Sequence, residues 1–318
     1  MVPATPPTAV SGLRGERWRL RVRSVRGFAG RFGDRGDGVL GLVILLVFAV
    51  LAVAPQLFVG PFETVTTATG RTLEPPSAGH LLGTDELGRD ILNMTVHGAR
   101  ISMSIGLMAT LITILLGALI GVVSGFIGGR VDSFLMRLTD FFLVLPTFVL
   151  AIILAPIILD IIGVETELLG MRATLLVIVV VIGVTSWATT ARIIRSQTLS
   201  IRERMFVDRA RVIGSGPGHI MRRHIVPNVV NLIVAQAVIT FAAAVFTETS
   251  LSFIGLGDPF APSWGQILDS AQGSGAPGLG AWWYFVPPAV CVVLVVLAFT
   301  LVGNALDDML NPKSGGRR

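Results

Sequence analysis

Apolar runs of about twenty residues alternate along this chain with short stretches rich in arginine, aspartate, glycine and proline. A helix rises about 1.5 Å per residue, so a run of that length matches the roughly 30 Å hydrocarbon layer of a bilayer. Six such runs stand out, at Val39–Val59, Ser102–Ile127, Phe141–Leu159, Thr174–Thr190, Val229–Leu251 and Tyr284–Val302. The pattern predicts an all-α, polytopic membrane protein with six transmembrane helices and both termini on one side. Ala52, Val53 and Ala54 mimic a signal-peptidase site, but the run before them is too long for a signal peptide and more spans follow. The first span therefore reads as a retained anchor.

Composition agrees with the pattern. Hydrophobic residues make up 52% of the 318, charged residues only 14%, and the mean hydropathy is +0.76, which excludes a soluble core. The single cysteine, Cys291, lies in an apolar run and reads as a small buried hydrophobe. The net charge of +5 does not point to nucleic acid, because the basic residues are scattered between spans without interleaved aromatics. Their distribution instead orients the chain. Segments 1–38, 128–140, 191–228 and 303–318 hold eight, two, eight and three lysines or arginines, whereas 60–101, 160–173 and 252–283 hold three, one and none. With 21 of 25 on one face, both termini are expected in the cytoplasm. Residues 1–13 are rich in Pro, Thr and Ala; from Arg14 to Arg35, eight arginines accompany Trp18, Val22, Val25, Ala29 and Phe32 at helical spacing. That spacing suits an amphipathic helix on an anionic membrane surface, with a solvated basic tail as the rival reading.

The loop from Phe206 to Asn228, FVDRARVIGSGPGHIMRRHIVPN, sits between two spans on the basic side. Phe206, Ala210 and Ile213 recur at i, i+4 and i+7, with Arg204, Asp208 and Arg211 opposite, which predicts a short two-faced helix. Gly214 suits a helix C-terminus that needs positive φ, Pro217 opens a second short helix reaching Val226, and Pro227 marks the turn into the next span. By chemistry alone this could be any basic loop of a multispan protein.

On the expected outer side, Gly60 to Arg100 is longer than a connection requires and ends in HLLGTDELGRDILNMTVHGARIS, where Thr84 or Asp85 is expected to cap a helix and Gly88 to permit a tight turn. Gly83, Asp85, Gly88, Arg89 and Asp90 are its candidate motif residues. Between spans two and three, Asp132, Arg137 and Asp140 stand in DSFLMRLTDFFLVLP, with Arg137 and Asp140 placed to pair at i, i+3 and Pro146 placed to kink the span above. Arg192 and Arg195, close to Trp187, read as interfacial anchors. Glu248 is an ionisable group at the end of an apolar span, a functional candidate by default, though its position near the outer end would let water reach it. Glu248 and Phe253, at the start of LSFIGLGDPFAPSWGQIL, are the candidates for the pathway or outer gate, and Trp282, Trp283 and Tyr284 form an aromatic belt before the last span.

Several of these stretches resemble one family in the same order. Asp208, Ala210, Gly214, Val226 and Pro227 resemble the EAA-G-I-LP signature of ABC importer permeases, with Arg209 in place of the usual first alanine and His224 where isoleucine is commoner. GTDELGRDIL, the Asp132–Pro146 stretch, LSF-GLG with PSWG and the tail GNALDDMLNPK resemble the C-type permease subunit of dipeptide and oligopeptide importers. In the tail the usual arginine is absent, and Asp307 and Asp308 are expected to cap or pair. The resemblance covers about residues 39–312 and implies a type I ABC importer permease fold. It divides the chain into a basic segment (1–38), an anchor (39–59), an extracytoplasmic loop (60–101), a five-helix core (102–302) holding the coupling loop 206–228, and a tail (303–318).

It further implies a bacterial plasma-membrane heterodimer with a B-type permease, two ABC ATPase subunits and an extracytoplasmic substrate-binding protein. Phe206, Asp208, Ala210, Gly214, His224 and Pro227 would then form the ATPase contact. No G-x-x-x-x-G-K-[ST] or H-E-x-x-H motif occurs, and the four histidines, His80, His97, His219 and His224, are dispersed. No catalysis, metal or cofactor is expected in this chain; ATP and Mg would belong to the partner. Glu248 is nearly alone in the spans, which argues against the alternative of a stand-alone secondary transporter or channel.

Overall fold

The structure is a computed structural model and describes residues 32–33, 35–163, 166–168 and 171–310. The arginine-rich stretch from Arg14 lies almost wholly outside the described residues. Helix α1 is Gly36–Val53 and a single turn, α2, is Gln56–Val59. The long helix α3 is Ile91–Ile127, α4 is Gly129–Val144 and α5 is Thr147–Ile162. A four-residue hairpin, β1 (Glu167–Leu168) and β2 (Met171–Arg172), leads into α6, Ala173–Arg202. The loop helices are α7, Met205–Val212, and α8, Pro217–Ile220. A π turn at Met221–Ile225 joins α8 to α9, Val226–Leu251, and a second π turn follows at Ser252–Leu256. Helices α10, Trp264–Gly273, and α11, Trp282–Leu310, are the last of the described elements. Among the described residues, five helices are long and apolar enough to cross a membrane, six with α4 and α5 counted as one bent span.

The expected helical, polytopic architecture is present, but four boundaries differ for identifiable reasons. The first span stops at Val53 rather than Val59, and Pro55 precedes the separate turn α2. The second starts at Ile91 instead of Ser102, because Asp90 caps it by accepting from the Asn93 N–H at 2.9 Å. With 37 residues it is about 55 Å long and outruns a bilayer. The third span is not a straight Phe141–Leu159 helix: α4 and α5 meet at 90°, with Leu145 and Pro146 extended between them. Proline disfavours helical backbone at the residue before it, so the expected kink is a full break. Pro227 marks no turn. Helix continues from Pro217 through Leu251, with a break only at Ile254 and Gly255, where Gly255 takes φ +86°, and Pro227 lies in the first turn of α9 just after the π turn, where its missing N–H is tolerated.

Helices α3 and α6 form the centre. Their seam is built on Gly117, Gly121 and Gly125, where a Cβ would come within 2.7 Å of Thr190, 2.6 Å of the Ala191 carbonyl and 2.8 Å of Thr198. Between membrane helices no hydrophobic gain separates helix contact from lipid contact, so close backbone approach and dispersion hold such a seam. Ile105, Ala109, Ile178 and Ile182 continue it as buried core. Helix α9 packs on α3, where Gly106 faces Val245. Helix α1 is peripheral: it touches α11 and α3, and Leu40, Val43, Leu46 and Val50 remain exposed. At its start, Arg35 pairs with Asp308 at 2.5 Å, tying the two ends of the described chain together.

Candidate functional site

The loop after α6 is built as a rigid projection. Val207 and Ala210 are the buried face of α7, packed with Val122, Ile194, Ile201, Ile220 and Ile225. This corrects the expected face: Phe206 is part-exposed and Ile213 is 83% exposed, together with Met205 at 75% and Val212 at 88%. Helix α7 ends where Gly214 takes φ +83°. The Ser215 N–H reaches the Ala210 carbonyl at 3.0 Å and the Gly214 N–H the Arg211 carbonyl at 2.9 Å, the pair of bonds that closes a Schellman cap.

Asp208 stays on the outer face, 2.9 Å from Arg211. Phe206 and His224, distant in sequence, meet with ring centroids 6.0 Å apart, and His219 lies 6.3 Å from His224. Asn228 donates to the His224 carbonyl at 2.7 Å, occupying an acceptor in the π turn. Of the six residues assigned to this loop, Ala210 and Gly214 set its shape, Phe206 and His224 join its halves, Asp208 is presented outward, and Pro227 belongs to the span that follows.

Ion pairs brace the same end of the bundle. Asp132 receives two hydrogen bonds from Arg195, each 2.6 Å, and one from the Ser124 hydroxyl, so α4, α6 and α3 are joined at one carboxylate. Arg192 binds Asp140 at 2.6 Å. The expected Arg137–Asp140 pair does not form; Arg137 is exposed and makes no ion pair among the described residues. A residue on the neighbouring helix outcompetes one three positions away when two helices are clamped in register. Arg192 and Arg195 are thus inter-helix ties rather than simple interfacial anchors.

At the opposite end the outer-loop motif folds into a knot that starts α3. Asp85 is fully buried; its Oδ1 accepts from the Leu87 and Arg89 N–H groups and its Oδ2 from the Arg89 guanidinium at 2.6 Å. Gly88 packs against the Gly70 backbone, and Gly83 leaves room for Trp283. Neither Thr84 nor Asp85 caps the helix. Asp90 does, while His80 approaches its second oxygen at 3.0 Å. The motif is a structural clasp, and Trp283 and the fully buried Tyr284 belong to it rather than to an exposed belt.

Glu248 has no exposed surface, contrary to the expectation that water reaches it. Ser252 donates to it at 2.9 Å and Thr249 at 3.4 Å, and the Ser102 and Ser263 hydroxyls lie beside it. Those last two hydroxyls accept from the Trp264 and Gln266 N–H groups at 3.1 and 3.3 Å. The acid therefore sits where α3, α9 and the first turn of α10 meet. Phe253, in the second π turn, is part-exposed and outside this cluster.

Comparison with known proteins fits this arrangement. Residues 117–315 match the model of the binding-protein-dependent transport system inner membrane component family. The chain belongs to that family. This permease is 39% identical over 277 residues to the dipeptide transport system permease protein of Bacillus subtilis, covering 86% of this chain and 81% of the relative. It is 33% identical over 286 residues to the oligopeptide transport system permease protein of the same organism, covering 89% and 88%. Its fold is similar to a chain of the inward-facing MetNI methionine ABC transporter, with a TM-score of 0.54 and 19% identity over 69% of this chain and 95% of that one.

The permease also carries a feature that no motif signalled. A cavity of about 340 Å³ lies between the α4–α5 break, the middle of α6 and the middle of α9, and none of the residues singled out from the sequence lines it. Its walls include Thr147, Ser186, Thr189, Gln236 and Thr240. The only trace in the sequence is a set of hydroxyls and one amide at scattered positions in apolar spans. They become a set only when three helices meet.

Proposed function

We propose that this chain is one permease half of an ATP-driven importer of short peptides, coupled through α7 and α8 to a separate ATPase. The observation that carries this is the exposed apolar tip formed by Met205, Val212 and Ile213 on a charged loop whose inner face, Val207 and Ala210, is locked into the bundle. An apolar surface on a rigid lever calls for a protein partner. The relatives named above, both peptide-transport permeases, supply the cargo class. In this reading a homologous permease completes the passage, two ATPase subunits bind ATP and Mg below, and a binding protein delivers substrate from outside. Both termini face the cytoplasm, in agreement with the charge distribution. The units 1–38, 39–59, 60–101, 102–302 and 303–318 then act as surface segment, anchor, clasp, core and tail.

Closure of the ATPase pair pushes α7. Because Val207 and Ala210 are packed against Ile194 and Ile201 of α6, the push is transmitted to the central seam rather than absorbed by a flexible loop. Glu248 serves the outer gate by fixing α10 against α3 and α9.

The test is coupling. Gly214→Pro cannot adopt φ +83°, since proline is held near −65°, and Asp208→Lys reverses the charge presented outward. Each variant is expected to assemble in the membrane and to lose at least about tenfold in peptide uptake per ATP hydrolysed, a change equivalent to ~1.4 kcal/mol of lost coupling. Uptake in proteoliposomes and ATPase assays on the co-purified complex read this out. Wild-type coupling in both variants, or peptide transport by this chain alone, refutes the assignment.

A further inference from the structure

The 340 Å³ cavity is distinguished by what its walls carry. Of its fifteen lining residues, eight bear a hydroxyl or amide (Thr147, Thr185, Ser186, Thr189, Thr190, Gln236, Thr240 and Thr247) and none is acidic, basic or histidine. Within the spans, hydroxyls commonly bond back into their own helix: Thr110 to Gly106, Thr139 to Leu135, Thr198 to Ile194 and Thr300 to Val296. In the cavity Thr185 and Thr247 do the same. Ser186, Thr189, Gln236 and Thr240 do not; among the described residues they make no side-chain hydrogen bond to the rest of the chain. They open onto the cavity, Thr189 exposed and Ser186 and Gln236 half-buried, so their donors and acceptors face whatever enters it.

We propose that these four side chains form a charge-free binding stretch of the passage that takes the main-chain amides of a peptide and ignores its side chains. The proposal rests on the permease reading above and adds the chemistry of the site. An extended peptide offers an N–H and a C=O at every residue, a few ångströms apart. A hydroxyl donates and accepts, and rotates to suit, while the Gln236 amide does both from one side chain. Such a wall therefore serves a sliding chain in any register. A lone charge would not: at a few ångströms it would hold an opposite peptide charge roughly a thousandfold longer than a neutral one. The nearest ions beyond the cavity on α6 are already matched, Arg192 by Asp140 and Arg195 by Asp132.

The experiment uses the complete complex, purified with its co-eluting subunits and reconstituted in proteoliposomes with the binding protein. Trialanine, its Lys- and Glu-containing analogues and an N-methylated trialanine are the probes. Wild type is expected to carry the first three within about threefold of each other and the N-methylated peptide at least tenfold more slowly. The combined variant Ser186→Ala, Thr189→Val, Gln236→Leu, Thr240→Val keeps near-native volume at three of its sites and should still co-purify with the ATPases. Its trialanine uptake is expected to fall about tenfold or more. Thr240→Asp should slow the Lys peptide at least about tenfold relative to the Glu peptide, because it holds the opposite charge, and Thr240→Lys should reverse that order. Unchanged uptake in the combined variant, a wild type that sorts peptides by charge, or Thr240 variants that slow all peptides equally each overturns the proposal while leaving the permease reading intact. A wild-type complex that carries no peptide at all overturns both.

Discussion

Glu248 brings a carboxylate into a fully buried site and is met there by hydroxyls rather than by a base. Ser102 and Ser263 lie beside it and accept from the N–H groups of Trp264 and Gln266, so the buried acid sits against the first turn of α10. Removing it leaves several donors without an acceptor, at about 1–3 kcal/mol for each group left unsatisfied. Glu248→Ala is therefore expected to lower the thermal unfolding midpoint in detergent by several degrees and to open the segment 257–263 to protease. Glu248→Gln, which keeps one acceptor oxygen, should fall between it and wild type. Equal midpoints and cleavage rates for all three would show that the carboxylate does not hold α10. Asp132 follows the same logic at the other end, where one acid joins three helices through Arg195 and Ser124.

At the scale of elements, the seam between α3 and α6 rests on close backbone approach. Gly121 has the Ala191 carbonyl 2.6 Å and the Ile194 Cβ 2.9 Å from where its own Cβ would be. Gly121→Ile must separate the helices, with an expected loss of about 1–3 kcal/mol or more. Gly216→Ala is the control, because Gly216 has φ −66° and nothing within 4 Å. A midpoint for Gly121→Ile equal to that of Gly216→Ala, measured by thermal unfolding, would mean that close approach does not stabilise the seam. The Gly117, Gly121, Gly125 spacing was present in the sequence as a glycine at every fourth residue, though only the partner helix identifies it as a contact face. The break before Pro146 was half legible: proline announced a kink, and the 90° turn depends on what α4 and α5 pack against.

For the whole molecule, the proposed orientation rests on arginine and lysine placement. A reporter fused after Arg318 is expected to be active in the cytoplasm only. Activity confined to the outer face would invert the topology and place α7 on the wrong side for an ATPase. The shape of the 206–228 loop was legible because its signals are local: a helix stop at Gly214 and a proline start at Pro217. Its buried face was misassigned because Val207 and Ala210 join a cluster drawn from several helices, and the sequence does not state which side of a short helix its neighbours cover.

The sequence by itself determined the polytopic helical character, the approximate place of the spans and the family, since apolar length and short motifs are properties of contiguous residues. Tertiary structure alone decided that Arg192 and Arg195 pair with acids on another helix, that Glu248 is sealed from water, and that Ser186, Thr189, Gln236 and Thr240 share one cavity. Each of those facts depends on helices far apart in the chain meeting at a particular register. A helix surface repeats every 3.6 residues in sequence but chooses its partner only in space.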